Sequence, residues 1–155
     1  MKIRNYRNDD ADFLKEMLLT AIYNPDETTD PKVLLEPELK VYYQDFGTGV
    51  YDYGQVMTTN SGARIGMIWC RLIHGYGFFR SDIPELAIAI KEEYHGHGYG
   101  TILLENFLKL AKDHNFTGLS LSVDERNKPA LSIYEKAGFQ KVSQHQDTLI
   151  MSLLF

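Results

Sequence analysis

Cysteine is almost absent from this chain: Cys70 stands alone among 155 residues, which excludes an internal disulfide. Cys70 falls inside the strand-like run RIGMIWCRLI, where a buried thiol is the simpler reading than a reactive one. Long hydrophobic runs are missing too. Nothing approaches the ~20 apolar residues that span a bilayer, and MKIRNYRNDD does not read as a secretory leader. The expectation is a soluble, cytoplasmic protein with no membrane partner. Positive charge is scarce, with 16 Lys and Arg against 21 Asp and Glu and a net charge of −5. That balance argues against a general nucleic-acid binder, which needs a basic face. Any phosphate site must therefore work through local peptide N–H groups and a few side chains. No repeat, low-complexity tract or linker interrupts the chain, so residues 1–155 read as one domain with enough length for a sizeable core.

The most informative stretch is Pro84 to Leu104, PELAIAIKEEYHGHGYGTILL. Leu86 to Ile90 has the length and branching of a buried strand. Gly96, Gly98 and Gly100 then alternate with His97 and Tyr99, and Leu104, Phe107, Leu108 and Ala111 follow at helical spacing. A strand that passes through a glycine-rich turn into a helix N-terminus can hold an anionic phosphate. Glycine permits positive φ and close approach, while the first helical N–H groups point outward with the helix dipole behind them. A plain tight turn explains the glycines equally well. A P-loop is excluded because no lysine precedes Thr101, and a Rossmann turn is excluded by the glycine spacing. His95 and His97 lack a Cys or third ligand nearby, so no metal is expected.

The remaining chain reads as hairpins and short helices. Ile3 marks a first strand, Asn8-Asp9-Asp10 an N-cap, and Ala11 to Tyr23 an amphipathic helix. Pro31 to Phe46 predicts a second helix, shortened or kinked at Pro37. Gln55 to Thr59 and Arg64 to Ile73 form a hairpin around Ser61-Gly62. His74 to Asp82 is a loop or an irregular strand. Leu119, Leu121 and Val123 alternate with polar residues in a further strand. Pro129 to Ala137 is a short helix closed by Gly138, and Gln140 to His145 with Thr148 to Leu154 close the chain as paired strands. This order predicts an α/β (α+β) layered domain: a mixed, mostly antiparallel sheet with one parallel pair at its centre.

With those residues placed, the chain resembles the GNAT superfamily of acyl-CoA-dependent N-acetyltransferases. The family pattern Arg/Gln-x-x-Gly-x-Gly/Ala falls on His95-Gly96-His97-Gly98-Tyr99-Gly100, after Glu93-Tyr94. The pattern Asn-x-x-Ala with Tyr-Glu-x-x-Gly-Phe falls on Asn127, Ala130, Tyr134, Glu135, Gly138 and Phe139. Pro84-Glu85-Leu86 ahead of the central strand also fits, and the order of elements agrees over nearly the whole chain. The departure is His95, which stands at the Arg/Gln position. A neutral imidazole there weakens the grip on a pyrophosphate, although the backbone carries most of that contact.

The resemblance implies a GNAT-like fold with a splayed central parallel pair and about four flanking helices. It implies acetyl-CoA as co-substrate and direct transfer of acetyl to a primary amine. The pyrophosphate would lie on His95, Gly96, His97, Gly98, Tyr99, Gly100 and Thr101. Ile88, Ala89 and Ile90 would pair with the pantetheine arm, with Asn127 on its other side. An N–H near Ala89 or Ile90 would stabilise the developing oxyanion. Tyr134 would protonate the leaving thiolate, against the plainer reading of a core aromatic. Glu85 would take the amine proton directly or through water, or else be a solvated strand-end carboxylate, and a water chain without a dedicated base is a third arrangement. Tyr42, Tyr43, Phe46, Tyr51 and Tyr53 line an acceptor pocket or pack in the core, and Trp69 is a strand core residue. Acceptor choice is expected to lie in residues 24–37, 74–82 and 143–148. The acceptor is a small-molecule or peptide amine, and self-association as a homodimer follows from the resemblance alone. The rival reading is a non-catalytic acyl-CoA-binding or sensing module.

Overall fold

Elements fall close to where alternation and helical spacing put them, and the largest departure occurs at a break set by proline. The structure is a computed structural model and describes residues 1–26 and 28–155. Residue 27, inside the expected acceptor stretch 24–37, lies outside the described residues. Along the chain come β1 (Lys2–Asn5), α1 (Ala11–Ala21), α2 (Pro37–Lys40), β2 (Tyr53–Thr58), β3 (Arg64–Arg71) and β4 (Glu85–Ile90). Then follow α3 (Tyr99–Asp113), β5 (Gly118–Asp124), α4 (Lys128–Ala137), β6 (Gln140–His145) and β7 (Thr148–Leu154). The expected helix from Pro31 to Phe46 does not form as one piece. A 3-10 turn, Pro31–Leu35, stops at Glu36, whose ψ of 138° is extended. A residue before proline is sterically pushed out of the helical region, so Pro37 opens a single new turn. Likewise α1 ends at Ala21, because Ile22 is already extended.

Asp10 does not cap α1 with its side chain. Its fully buried carboxylate instead accepts from Arg4 Nη1 and Nη2 at 2.8 and 2.9 Å, from Arg64 Nε at 2.8 Å and from the Arg7 N–H at 2.7 Å. Burial alone would raise its pKa, but these donors outweigh burial and hold it at about 2. The cluster pins β1 and β3 to the start of α1.

The strands form a seven-stranded sheet in the order β1-β2-β3-β4-β5-β7-β6. Every neighbouring pair is antiparallel except β4 with β5, which α3 joins as a parallel crossover. Phe13, Leu14 and Met17 of α1 pack with Leu39 and Trp69 on one face. Leu103, Leu104 and Phe107 of α3 pack with Ile68 and with Tyr134 of α4 on the other. The two-residue period of β4 splits its side chains: Leu86, Ile88 and Ile90 go to the α3 side, Ala87 and Ala89 to the α1 side. Trp69 is buried in the core, and burial pushes the Cys70 thiol pKa up. The aromatic stretch divides as well. Tyr42, Tyr43 and Phe46 join the α1 side, while Tyr51 and Tyr53 pack on Phe116 behind the sheet.

Candidate active site

β4 is zipped to β3 from Gly66 opposite Ile90 down to Arg71 opposite Glu85. Its parallel neighbour is different. β4 and β5 are in register at a single position, Glu85 opposite Ser120, where the Ser120 N–H donates to the Pro84 carbonyl at 3.0 Å. Beyond that point the strands part, and the backbone between them is unpaired. Which groups face the gap follows from strand alternation. The Lys91 N–H donates to Ile65 of β3 at 2.8 Å, so the peptide groups of Ala89 and Ala87 also turn to β3. The groups of Ile88 and Ile90 turn to the seam. The seam-facing N–H nearest the expected oxyanion position therefore belongs to Ile90, and the Ala89 N–H is directed away.

The glycine turn lies at the wide end of this seam. Gly96 and Gly98 have φ of 80° and 78°, in the left-handed region that glycine adopts without strain, and a Cβ on either would meet no protein atom within 4 Å. Gly98 is the N-cap of α3, and the first intrahelical acceptor it provides goes to Ile102 at 3.2 Å. Among the described residues, no acceptor meets the N–H groups of Gly96, His97, Gly98, Tyr99, Gly100 or Thr101. A concave row of free donors at a helix N-terminus suits a phosphate group. His97 is exposed and stacks near the Tyr99 ring, 5.5 Å between centroids. His95 is exposed as well, but its Nε2 lies 2.7 Å from the Ile90 carbonyl. A carbonyl can only accept, so Nε2 carries the proton and the imidazole fastens the turn to the end of β4.

Tyr134 sits on the α3 side of the sheet, against Phe139 and only 9% exposed. Its hydroxyl finds no partner among the described residues, and burial pushes its pKa up to about 12. A phenol held in that range keeps its proton at neutral pH. Asn127 caps α4 by accepting from the Ala130 N–H at 3.4 Å, which commits its Oδ1 and leaves its amide group for other contacts.

Glu85 sits on the opposite, α1 side. It is 3% exposed, which overturns the reading of a solvated strand-end carboxylate. Its Oε2 accepts from the Tyr42 hydroxyl at 2.7 Å and from the Gly77 N–H at 3.2 Å, and its Oε1 from the Gly75 N–H at 2.7 Å. Burial raises its pKa, and these donors pull against that rise without cancelling it. The two peptide donors come from residues 74–82, which form a loop. That loop is clamped from both sides: Gly77 accepts from Ser120 Oγ at 2.7 Å, and a Cβ on Gly77 would press into the Leu121–Ser122 peptide at 2.7 Å.

A family model described as the acetyltransferase (GNAT) family matches residues 18–139. The chain belongs to the GNAT acetyltransferase family. Among its relatives, an N-alpha-acetyltransferase of Saccharolobus solfataricus is 32% identical over 149 residues, covering 90% of this chain and 80% of that protein. An N-alpha-acetyltransferase of Sulfolobus acidocaldarius is 34% identical over 116 residues, 68% of each chain. In fold, the chain is similar to the PaiA N-acetyltransferase of Thermoplasma acidophilum, solved in complex with coenzyme A, with a TM-score of 0.73, 20% identity and coverage of 99% and 98%.

Within this GNAT domain the seam collects residues distant in sequence: Ile88 and Ile90 on one lip, Ser122 on the other, the glycine turn at the mouth. A cavity of about 400 Å³ opens on the far side, lined by Tyr76, Asp124, Asp147 and Ile150 among others. Arg126 is held by Asp124 at 2.8 and 3.0 Å, and the Tyr23 hydroxyl reaches the Arg126 carbonyl at 3.4 Å. Tyr42, Gly75 and Gly77 were not legible as partners of Glu85. The only sequence signal is the pair of glycines in HGYG, whose spacing fits two close approaches as readily as a plain loop.

Proposed function

We propose that this GNAT acetyltransferase carries acetyl from acetyl-CoA to the α-amino group of a peptide or protein. The supporting observation is the seam between β4 and β5, with Tyr134 on the α3 side of the sheet and Glu85 on the α1 side. A gap through the sheet lets the two halves of the reaction approach from opposite faces. Acetyl-CoA fits the chain's own features: free N–H donors from Gly96 to Thr101 for the pyrophosphate, and the seam-facing peptide group of Ile88 with the Ile90 N–H for the amides of the arm, the Ile90 carbonyl being taken by His95.

In this reading the Ile90 N–H steadies negative charge on the carbonyl oxygen as the amine attacks. The Tyr134 phenol supplies the proton that the departing thiolate needs, and Glu85 receives the proton that the ammonium must lose, directly or through water. The relatives named N-alpha-acetyltransferase favour an α-amine as acceptor. Asp147 beside the far cavity suits a cationic N-terminus, whereas Asp124 there is already paired with Arg126.

The test is thiol release from acetyl-CoA with peptides that differ in their first residues, each compared with its N-terminally blocked form. Release that requires a free α-amine is the expected result. Acetylation of lysine side chains or small amines alone would replace the acceptor. Binding of acetyl-CoA without turnover on any amine would refute the enzyme reading in favour of a binding module.

A further inference from the structure

The network around Glu85 contains a residue that neither family motif includes. Tyr42 lies in the turn after α2, is 8% exposed, and has its backbone fixed by the Trp69 Nε1, which donates to the Tyr42 carbonyl at 3.1 Å. Its hydroxyl has two partners. It donates to Glu85 Oε2 at 2.7 Å and accepts from the Tyr76 N–H at 2.8 Å. A Cβ on Gly75 would collide with both the Tyr42 hydroxyl and the Glu85 carboxylate. Phenol, carboxylate and loop backbone thus interlock with no slack.

A carboxylate offers about four acceptor positions. Tyr42, Gly75 and Gly77 fill three of them, leaving room for one further donor such as an ammonium or a water. We infer that Tyr42 is a positioning residue for amine deprotonation: its hydroxyl fixes the Glu85 carboxylate and the 75–77 loop as one unit beside the seam. This rests on Glu85 being the base in the proposed function. A purely architectural tyrosine would need neither of its hydroxyl contacts to lie on a group that titrates in the reaction. The titratable groups facing Glu85 are Tyr42 itself and His74 of the loop; β5 contributes the Ser120 hydroxyl, already engaged with Gly77.

The perturbation is Tyr42→Phe, which keeps the ring and removes one donor from the carboxylate. Losing a hydrogen bond to the charged form favours the protonated form, so the Glu85 midpoint rises by about one pH unit. Carbon NMR of the Glu85 carboxyl reads that midpoint without any turnover. The acid limb of kcat/KM for a peptide acceptor is expected to move up by the same amount, with acetyl-CoA affinity within about twofold of wild type. In a Glu85→Gln background, Tyr42→Phe is expected to move no limb. Should Tyr42→Phe lose acetyl-CoA binding through misfolding, 3-fluorotyrosine at position 42 keeps the ring and makes its hydroxyl the stronger donor, so the Glu85 midpoint is expected to fall instead. A midpoint that stays in place overturns the inference. So does a midpoint that rises while the limb stays still, since Tyr42 would then act on structure alone. A wild-type enzyme inert toward every amine overturns the proposed function first, and that failure shows before any variant is made.

Discussion

Replacing Gly98 by valine separates the fold's use of that glycine from the ligand's. At φ of 78°, a side-chain-bearing residue pays about 1–2 kcal/mol in backbone strain. No protein atom lies within 4 Å of the added Cβ, so no clash adds to that figure. For a chain of this length the melting temperature should fall by about 2–8 °C. Binding should suffer much more. The new side chain stands beside the donors from Gly96 to Thr101, and losing two charge-assisted contacts at about 1.5–3 kcal/mol each weakens acetyl-CoA by at least about 100-fold. His95→Ala removes one hydrogen bond to the Ile90 carbonyl, at about 0.5–1.5 kcal/mol, and should weaken binding by about tenfold at most. Titration calorimetry with acetyl-CoA, alongside a thermal melt of each variant, measures both quantities. Comparable losses in the two variants, or a Gly98→Val protein that binds within tenfold of wild type, would refute the assignment of phosphate binding to this backbone.

Tyr134→Phe should lower turnover by about 10²–10⁴-fold while acetyl-CoA affinity stays unchanged, as thiol-release kinetics and calorimetry will show; unchanged turnover removes the phenol from the reaction. Because burial raises the Glu85 pKa, activity should fall as pH drops through a value above the ordinary glutamate range, and Glu85→Gln should abolish that limb in a pH–rate profile. Gly75→Ala should displace the 74–82 loop and cut acceptor turnover more than tenfold while sparing acetyl-CoA binding, since its Cβ collides with Tyr42 and Glu85 on the α1 side of the sheet. Asp10→Asn should destabilise the fold by about 2–3 kcal/mol, less than a fully buried pair because Arg4 and Arg64 are partly exposed. The Asp10 pKa is held below its unfolded value, so its contribution is present above about pH 4 and fades as pH falls toward 2, which acid titration followed by circular dichroism can check.

Much of the fold was legible because it rests on local rules. The alternation of Leu119, Leu121 and Val123, the Asn127 cap and the left-handed Gly138 place β5 and α4 almost to the residue. The glycine turn was legible for the same reason, since Gly96 and Gly98 need only their own backbone freedom. The helix expected over 31–46 failed because helical spacing was weighed above the steric effect of Pro37 on Glu36. Asp10 is the N-cap residue of α1 as expected, but its side chain does not cap, because its arginine partners come from β1 and β3 and a capping pattern takes no account of them. Glu85 was the hardest. A carboxylate at a strand start is solvated by default, and what buries it is a phenol 43 positions earlier in the chain and a loop folded back over β5.

The sequence by itself determined the layered domain, the parallel crossover through α3, and the glycine turn with its free donors, because each depends on residues within a few positions of one another. Only the tertiary structure decided where the sheet opens, which peptide groups of β4 face the opening, and that Tyr134 and Glu85 lie on opposite sides of the sheet. Those outcomes depend on β4 meeting β5 at one residue and then diverging. A divergence between strands joined through a whole helix is set by how both helix layers pack on the sheet, and no short window of residues encodes it.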